Sequence, residues 1–547
     1  MTFASDIASS RPLGVAEGLG SSLLDETVIF SRPVILTGER ETLATRNGRW
    51  CLLDSLRLLS RIVGPLTVVL PGGLPDLEAE VRQLADRLWT PGTVTVVIEG
   101  APVAMAYAVA ILNVGTGVRP HLPWTVINSN GWVARVSSGP TALPADADQS
   151  NPLAALMAAS FGVTEVFKRV FSIPREIAPL LDATQFSLFE LSASPTGLGP
   201  QLPAKMSLPD TVMVGAGAIG NGIALVLSQL AVQGRLHIID KQDYRRENFG
   251  TCTLLDDESW LGTSKAERLA AWLDRPDGLR CTGEEAFVAD ARSGSFVRAM
   301  SVELVLNGLD DIRARHDAQM LWPSVLVDGG INSVGAAVRT HRLDRPHAAC
   351  MRCSFRLPPV SERELQAKMT GLSPTSLESD LGRPLNEQDV AEAKESMREW
   401  LQHQVLLGKT VCSTISEAQS RSLGIELDEG FNPSVPFVAT ASAALVVTQA
   451  LKALFYPDAE YTQRFQMESV FLGPEASIGV LTHADPSCEC VLHRAIVEKV
   501  VAARRRRKIK PELSSEANSS FATSSGVKTI SLPPEAMLSP AASSTGT

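Results

Sequence analysis

Val212-Met213-Val214-Gly215-Ala216-Gly217-Ala218-Ile219-Gly220 runs on into an apolar helix and then into Leu236-His237-Ile238-Ile239-Asp240. The opening β-branched run predicts a buried strand. The glycines permit a tight turn and let backbone N–H groups approach a ligand closely, and the helix that follows aims its positive end at that ligand. Asp240 closes a second strand twenty residues after Gly220, where a carboxylate can accept both ribose hydroxyls. The stretch reads as a nucleotide site on a Rossmann-like α/β unit. By itself it does not separate a nicotinamide or flavin enzyme from one that uses ATP.

Around this unit the chain has 547 residues, too many for a single core and equal by length to roughly three or four domain-sized units. A net charge of −10 and a pI near 5.5 argue against nucleic acid as the main partner, because phosphate binding needs a dense basic face. Arg504-Arg505-Arg506-Arg507-Lys508 is a local exception and is expected to be a solvated helix end. It leads into a Ser-, Ala- and Pro-rich tail from about Pro511 to Thr547, too poor in apolar residues to form a core and expected to be disordered.

No secretory signal opens the chain, and no run reaches eighteen uninterrupted apolar residues, so no membrane partner is expected. The longest apolar window, Ala101 to Val114, is read as a core helix. Eight cysteines at uneven spacing do not resemble a disulfide framework. A cytoplasmic location with reduced thiols follows as the expectation.

Laid on itself without gaps, Pro152–Phe171 matches Pro436–Phe455 at seven positions: Pro152/Pro436, Ala155/Ala439, Ala159/Ala443, Val163/Val447, Thr164/Thr448, Lys168/Lys452 and Phe171/Phe455. Shared alanine content would not align the Pro, Thr, Lys and Phe together, so the pattern implies a duplicated plan. A weaker echo precedes each helix. Pro123–Gly131, with Asn128, resembles Pro323–Gly330, with Asp328, and both read as a strand running into a turn. The interval between the two prolines is 29 residues in the first half and 113 in the second, an excess of 84. That insertion holds Cys350, Cys353 and Cys412. The first half has no GxGxxG. Its nearest counterpart is Leu66-Thr-Val-Val-Leu-Pro-Gly-Gly-Leu74, so it is expected to have kept the fold and lost the ligand loop.

Beyond Asp240 come Asn248, then Gly262-Thr-Ser-Lys265 opening a helix, then Asn307-Gly-Leu-Asp310-Asp311-Ile-Arg-Ala-Arg315. In that order and spacing, across roughly Pro209 to Phe455, these residues resemble the family of ThiF, MoeB and the ubiquitin-activating enzymes. The resemblance implies an enzyme that adenylates a protein C-terminus. A carboxylate is a poor electrophile and must become a mixed anhydride with AMP before a thiol can attack it. The task is largely one of positioning and charge neutralisation.

On that resemblance Gly215, Gly217 and Gly220 hold the phosphates of ATP, and Asp240 holds the ribose. Asn248 contacts phosphate or ribose, Lys265 stabilises phosphate charge, and Asp310 binds Mg²⁺. The bland alternatives are an ion pair for Lys265 and helix capping for Asp310. The family's Arg-Gln pair after the Asn is absent, since the chain reads Asn248-Phe-Gly-Thr-Cys252. A phosphate-binding arginine must then come from Arg245, Arg246 or Arg46.

The resemblance also brings Cys350-Met-Arg-Cys353 and Cys488-Glu-Cys490 together as a four-cysteine structural Zn²⁺ site. The second pair is shorter than the family's Cys-x-x-Cys, so His493 or His347 are alternative ligands. Cys412, in a Ser/Thr-rich stretch, stands where conjugation-type members carry their thioester-forming cysteine. Cys252 and Cys281 are rivals, and Cys51 is read as core.

The expected whole is two Rossmann-like adenylation halves in an intrachain pseudo-dimer. An inactive half spans 1–200 and an active one 201–500, with the catalytic-cysteine segment inserted at about 355–430 and a low-complexity tail at 503–547. The expected partners are a ubiquitin-like protein ending in glycine and a ubiquitin-conjugating-type enzyme, for a monomer or a homodimer. Bacterial ubiquitin-like conjugation operons, many linked to antiphage defence, offer the nearest likeness in size. The alternatives are ThiF- or MoeB-like activation of a sulfur carrier, a nicotinamide-dependent oxidoreductase, or a non-catalytic scaffold.

Overall fold

In the computed structural model, the described residues are 7–507 apart from 91, 100–104, 146–148, 295–296, 299, 356–361, 379–382, 423–433 and 460–461. Two sheets are built on one strand order. The first comprises β1 (Val34–Gly38), β2 (Leu66–Leu70), β3 (Val94–Ile98), β4 (Ala110–Val114), β5 (Trp124–Asn130), β6 (Val133–Ser137) and β7 (Thr184–Ser187), in the order β3-β2-β1-β4-β5-β6-β7. The second comprises β8 (Met206–Ser207), β9 (Thr211–Val214), β10 (Val232–Asp240), β11 (Leu279–Glu285), β12 (Leu304–Asn307), β13 (Val325–Ile331), β14 (Ala336–Arg342), β15 (Arg464–Met467) and β16 (Ser477–Val480). Its order is β11-β10-β9-β12-β13-β14-β15-β16, with β8 pairing β10. In each sheet the first five strands of that order are parallel, and the antiparallel hairpins β5–β6 and β13–β14 follow them. Strand order reverses beside β1 and β9, the topological switch points where ligands bind at the carboxyl ends of such sheets.

The hydrogen-bond register aligns the two halves residue by residue. Val34 pairs with Leu66 and Ala110, as Thr211 pairs with Leu236 and Leu304. Gly38-Glu39-Arg40 therefore stands where Gly215-Ala216-Gly217 stands, Leu70 where Asp240 stands, Asn113 where Asn307 stands and Thr116 where Asp310 stands. This corrects the sequence alignment. Leu66–Leu70 matches the ribose strand β10, and the glycine turn's counterpart is the loop after β1. A second correction concerns the apolar window 101–114. Its residues Ala110–Val114 are strand β4, wholly buried between β1 and β5, because a short apolar run fits a parallel-sheet core as well as a helix.

The repeated helices, Pro152–Val170 and Pro436–Phe455, follow the two hairpins as the echo predicts. Proline occupies the first turn of each, where a missing N–H costs nothing. Asn151 caps the first helix by accepting from the Leu153 N–H at 3.0 Å. The two helices pack on each other, and a Ser160–Thr440 hydroxyl pair at 2.9 Å bridges them. Phe167, Phe437 and Phe471 form a ring cluster across the halves at centroid spacings of 5.5–5.6 Å. One apolar cluster extends from Val34 in the first sheet to Phe471 beyond the second, so the halves share a core.

Among the described residues only Pro436–Phe455 is long and apolar enough to cross a membrane, and its apolar window is 89% buried inside the protein. It is a core helix. Between β14 and that helix lies a small helical cluster that includes Val411–Ser422 and has its own core of Leu372, Leu377, Leu385, Val390, Leu401, Val411 and Ile415. The basic run ends the helix Arg494–Arg507, and the Arg504 side chain donates to the Val302 carbonyl at 2.8 Å. The expected tail from about Pro511 lies outside the described residues.

Candidate functional site

β9 ends at Val214, the chain turns through Gly215 to Gly217, and the helix Ala218–Gln229 begins with Gly217 as its cap. Gly215 has φ +91°, the left-handed region that a side chain disfavours. A Cβ on Gly220 would lie 2.2 Å from the Gly215 carbonyl oxygen, so only glycine lets helix and strand approach this closely. Around Gly217 the same test finds open space within 4 Å. The Gly308 N–H donates to the Val214 carbonyl at 2.8 Å, which ties the loop after β12 to the glycine turn.

Asp240 ends β10 and faces that turn. Its carboxylate accepts from the Ala216 N–H at 2.7 Å and the Gln242 N–H at 2.8 Å. Gln242 in turn takes the Lys265 ammonium on its side-chain oxygen at 2.9 Å. Lys265 opens the helix Lys265–Leu273 and is buried. Asp240, Gln242 and Lys265 thus form one connected chain at the carboxyl end of β10. Gln242 had no sequence signal because its role depends on this tertiary contact.

Asn248 lies in a short 3₁₀ turn, Arg246–Gly250, where its side chain accepts from the Arg245 N–H at 2.9 Å. Asp310 follows β12 and is exposed. Its neighbour Asp311 caps the helix Ile312–Gln319 by accepting from the Ala314 N–H at 2.8 Å. The capping alternative falls to Asp311, and Asp310 has no part in the cap.

Of the three candidate arginines, Arg46 lines a cavity with Gln229, Leu230 and Ala231. Those residues end the helix that starts at the glycine turn, about 18 Å away at 1.5 Å per residue, which removes Arg46 from the site. Arg246 pairs with Glu258 at 3.2 Å on the surface, and Arg245 is exposed. The structure adds Arg11, from the first half's helix Ile7–Gly18, which packs on the 3₁₀ turn. Burial lowers the pKa of its guanidinium, while the nearby Cys252 and Glu247 oppose that shift. No local motif announces a residue that arrives from more than two hundred positions away.

Cys252 is buried at the same end of the sheet, below Arg61, whose guanidinium donates to the Cys252 and Leu255 carbonyls and to Asp256. Burial pushes its thiol pKa up, with Lys265 the leading opposing charge. The Cys281 thiol is pushed up to about 12 by burial, and Cys51 is core. Thiols held protonated and buried are poor nucleophiles. Cys412 falls in the helix Val411–Ser422, and its side chain lies outside the described residues.

The Sγ atoms of Cys350, Cys353, Cys488 and Cys490 all lie within 4.8 Å of one another, with spacings of 3.8, 3.6 and 3.5 Å for 350–353, 350–488 and 353–490. Zinc–sulfur bonds of about 2.3 Å in a tetrahedron put sulfurs about 3.8 Å apart. The donor set fits a closed four-thiolate Zn²⁺ site. Neither His493 nor His347 is needed to complete it.

A model of the ThiF family matches residues 198–490, more than half of the chain. The uncharacterized protein y4jF of Sinorhizobium fredii (strain NBRC 101917 / NGR234) is 25% identical over 334 residues, 59% of this chain. The match spans 60% of that relative's length. Among solved structures, E. coli MccB with ATP is similar at 13% identity and TM-score 0.32, covering 52% of this chain and 67% of that one. E. coli tRNA N6-threonylcarbamoyladenosine dehydratase, TcdA, with AMP is similar at 16% identity and TM-score 0.26, covering 46% and 88%.

Proposed function

Because the chain belongs to the ThiF family, we propose that its second half uses ATP to adenylate the C-terminal carboxylate of a protein or peptide. The observation that carries this reading is the convergence of the glycine turn, Asp240, Lys265 and the Asp310 loop at one switch point. The turn's backbone N–H groups and the helix start suit phosphates. Asp240 would accept the ribose hydroxyls and release the Ala216 N–H to the ligand.

In the reaction, a carboxylate oxygen of the substrate attacks the α-phosphorus of ATP. The bond from that phosphorus to the bridging oxygen breaks, and pyrophosphate leaves with the electron pair. Lys265 would neutralise charge on the phosphates, and Arg11 reaches the same end from the first half. Asp310, an exposed hard-oxygen ligand free of the capping role, would hold a Mg²⁺ that supplies further charge neutralisation. These groups act by positioning and electrostatics.

The substrate we propose is a ubiquitin-like protein ending in glycine. Its adenylate is attacked by the Cys412 thiolate at the acyl carbon with loss of AMP, and the thioester passes to a conjugating partner. Each cysteine whose side chain is described is buried or belongs to the four-thiol cluster, and Cys412 is the nucleophile we propose. The cluster is assigned to a structural Zn²⁺ that joins the segment after β14 to the C-terminal helices. Incubation with ATP and small glycine-terminated proteins tests both steps. The reading expects a thiol-sensitive adduct that Cys412→Ala abolishes while pyrophosphate exchange persists. Exchange without any adduct would leave adenylation and overturn the thioester, and no exchange would overturn both.

A further inference from the structure

Asp328, fully buried on β13, meets two guanidiniums at once, Arg315 Nε at 3.3 Å and Arg339 Nη1 at 3.2 Å. Asn307 donates to the same carboxylate at 2.6 Å. Both guanidiniums lie 4.6 Å from the centroid of the Phe355 ring. Arg464 faces Arg339 across the β14–β15 ladder and adds a third positive charge close enough to act on it. Two guanidiniums thus share one carboxylate, and the third, Arg464, donates to the Gln466 side-chain oxygen at 2.8 Å beside them.

Beside them is a cavity of about 140 Å³ lined by Arg315, Gly330, Asn332, Arg339 and Gln466. It opens at the carboxyl edge of the sheet, and Arg315 also donates to the carbonyl of Leu309, next to Asp310, at 2.9 Å. The hairpin does not itself demand such a cluster. At the matching register of the first half, Val126 stands at the place of Asp328 and Ser137 at the place of Arg339, with no charge on either. Surplus positive charge in a partly buried site is costly unless an anion completes it, and guanidinium forks match carboxylates in shape.

We propose that this cavity reads an acidic side chain of the incoming peptide, upstream of the carboxylate that is adenylated, a specificity that rests on the adenylation reading. The terminal carboxylate must reach the glycine turn after β9, and β14 lies three strands away. At about 4.8 Å per strand the span is about 14 Å, and an extended peptide rises about 3.3 Å per residue. The acidic residue therefore stands about four positions before the terminal glycine. Its carboxylate takes the donors of Arg339 and Arg315 that face the cavity, with Gln466 and Asn332 closing the sides.

The test uses the full chain and fluorescein-labelled heptapeptides ending in glycine, with Glu, Gln or Lys four positions before the terminal residue. Binding is read by anisotropy at low and moderate salt. The Glu peptide is expected to bind at least about tenfold tighter than the Gln peptide, with the advantage shrinking as salt rises. Arg339→Gln should reduce that preference to about twofold or less without changing ATP affinity, and Arg464→Gln serves if the first variant does not fold. Equal binding of the Glu and Gln peptides to the wild-type chain overturns the proposal. Pyrophosphate exchange is scored separately on the same peptides, so its absence would count against adenylation while anisotropy still decides the acidic preference.

Discussion

Glu39 accepts a hydrogen bond from the Gly117 N–H at 2.7 Å, so an internal carboxylate occupies the backbone amides of the first half's switch point. The Thr116 N–H and hydroxyl add bonds at 2.9 and 3.0 Å, and Asn113 adds a fourth at 3.3 Å. In the second half the register puts Ala216 at the place of Glu39 and Asp310 at the place of Thr116. The first half thus has Arg40 at the place of Gly217, Leu70 at the place of Asp240 and Thr116 at the place of Asp310, and it satisfies its own amides with Glu39.

One nucleotide per chain follows from this arrangement. Calorimetric titration of ATP should give a stoichiometry near one, and a value near two contradicts the assignment. Glu39→Ala leaves those amides unpaired and is expected to cost about 1–3 kcal/mol of stability, measured by urea denaturation.

The glycines of the turn separate packing from binding. A Cβ on Gly220 would press on the Gly215 carbonyl, whereas one on Gly217 meets nothing within 4 Å. Gly220→Ala is therefore expected to lose about 1–3 kcal/mol of stability. Gly217→Ala should keep stability within about 0.5 kcal/mol and weaken ATP binding at least about tenfold, or about 1.4 kcal/mol. Equal stability losses in the two variants would contradict the geometry.

Much of this was legible locally. The Gly215–Gly220 turn, Asp240 and the Pro-led helices at 152 and 436 are signalled by residues close in sequence, and their elements form as expected. Errors arose where pairing partners are distant. Register, which a lone apolar strand does not specify, moved the first half's loop from Leu66–Leu74 to Gly38–Arg40, and the apolar run before Val114 became a strand because β1 and β5 flank it. Gln242 and Arg11 join the site through contacts that no spacing rule encodes.

The four thiols predict a metal count. Purified protein should carry one zinc per chain by elemental analysis, and Cys353→Ser should lose it together with several degrees of Tm. Cys281→Ser should leave the zinc in place. Full zinc retention in Cys353→Ser would contradict the ligand set.

Asp54 of the first half accepts from the Gln229 side chain of the second at 2.9 Å. Complete burial raises its pKa to about 7. The unfolded chain gives up this proton near pH 4 and the folded one near pH 7, so this group's contribution to stability falls as pH rises between those values and is level above them. Asp54→Asn should match the wild type near pH 4 and exceed it at pH 8, by up to about 4 kcal/mol. A pH-independent difference would contradict the buried-carboxyl account.

The central claim is that the cleft at Gly215–Gly220 couples ATP to a peptide carboxylate, and ATP–pyrophosphate exchange tests it most directly. The account predicts exchange that requires a glycine-terminated protein or peptide and falls by about a hundredfold or more in Lys265→Ala, on the scale of losing one preorganised electrostatic contact. Binding of a nicotinamide cofactor without exchange, or exchange indifferent to Lys265, would contradict it.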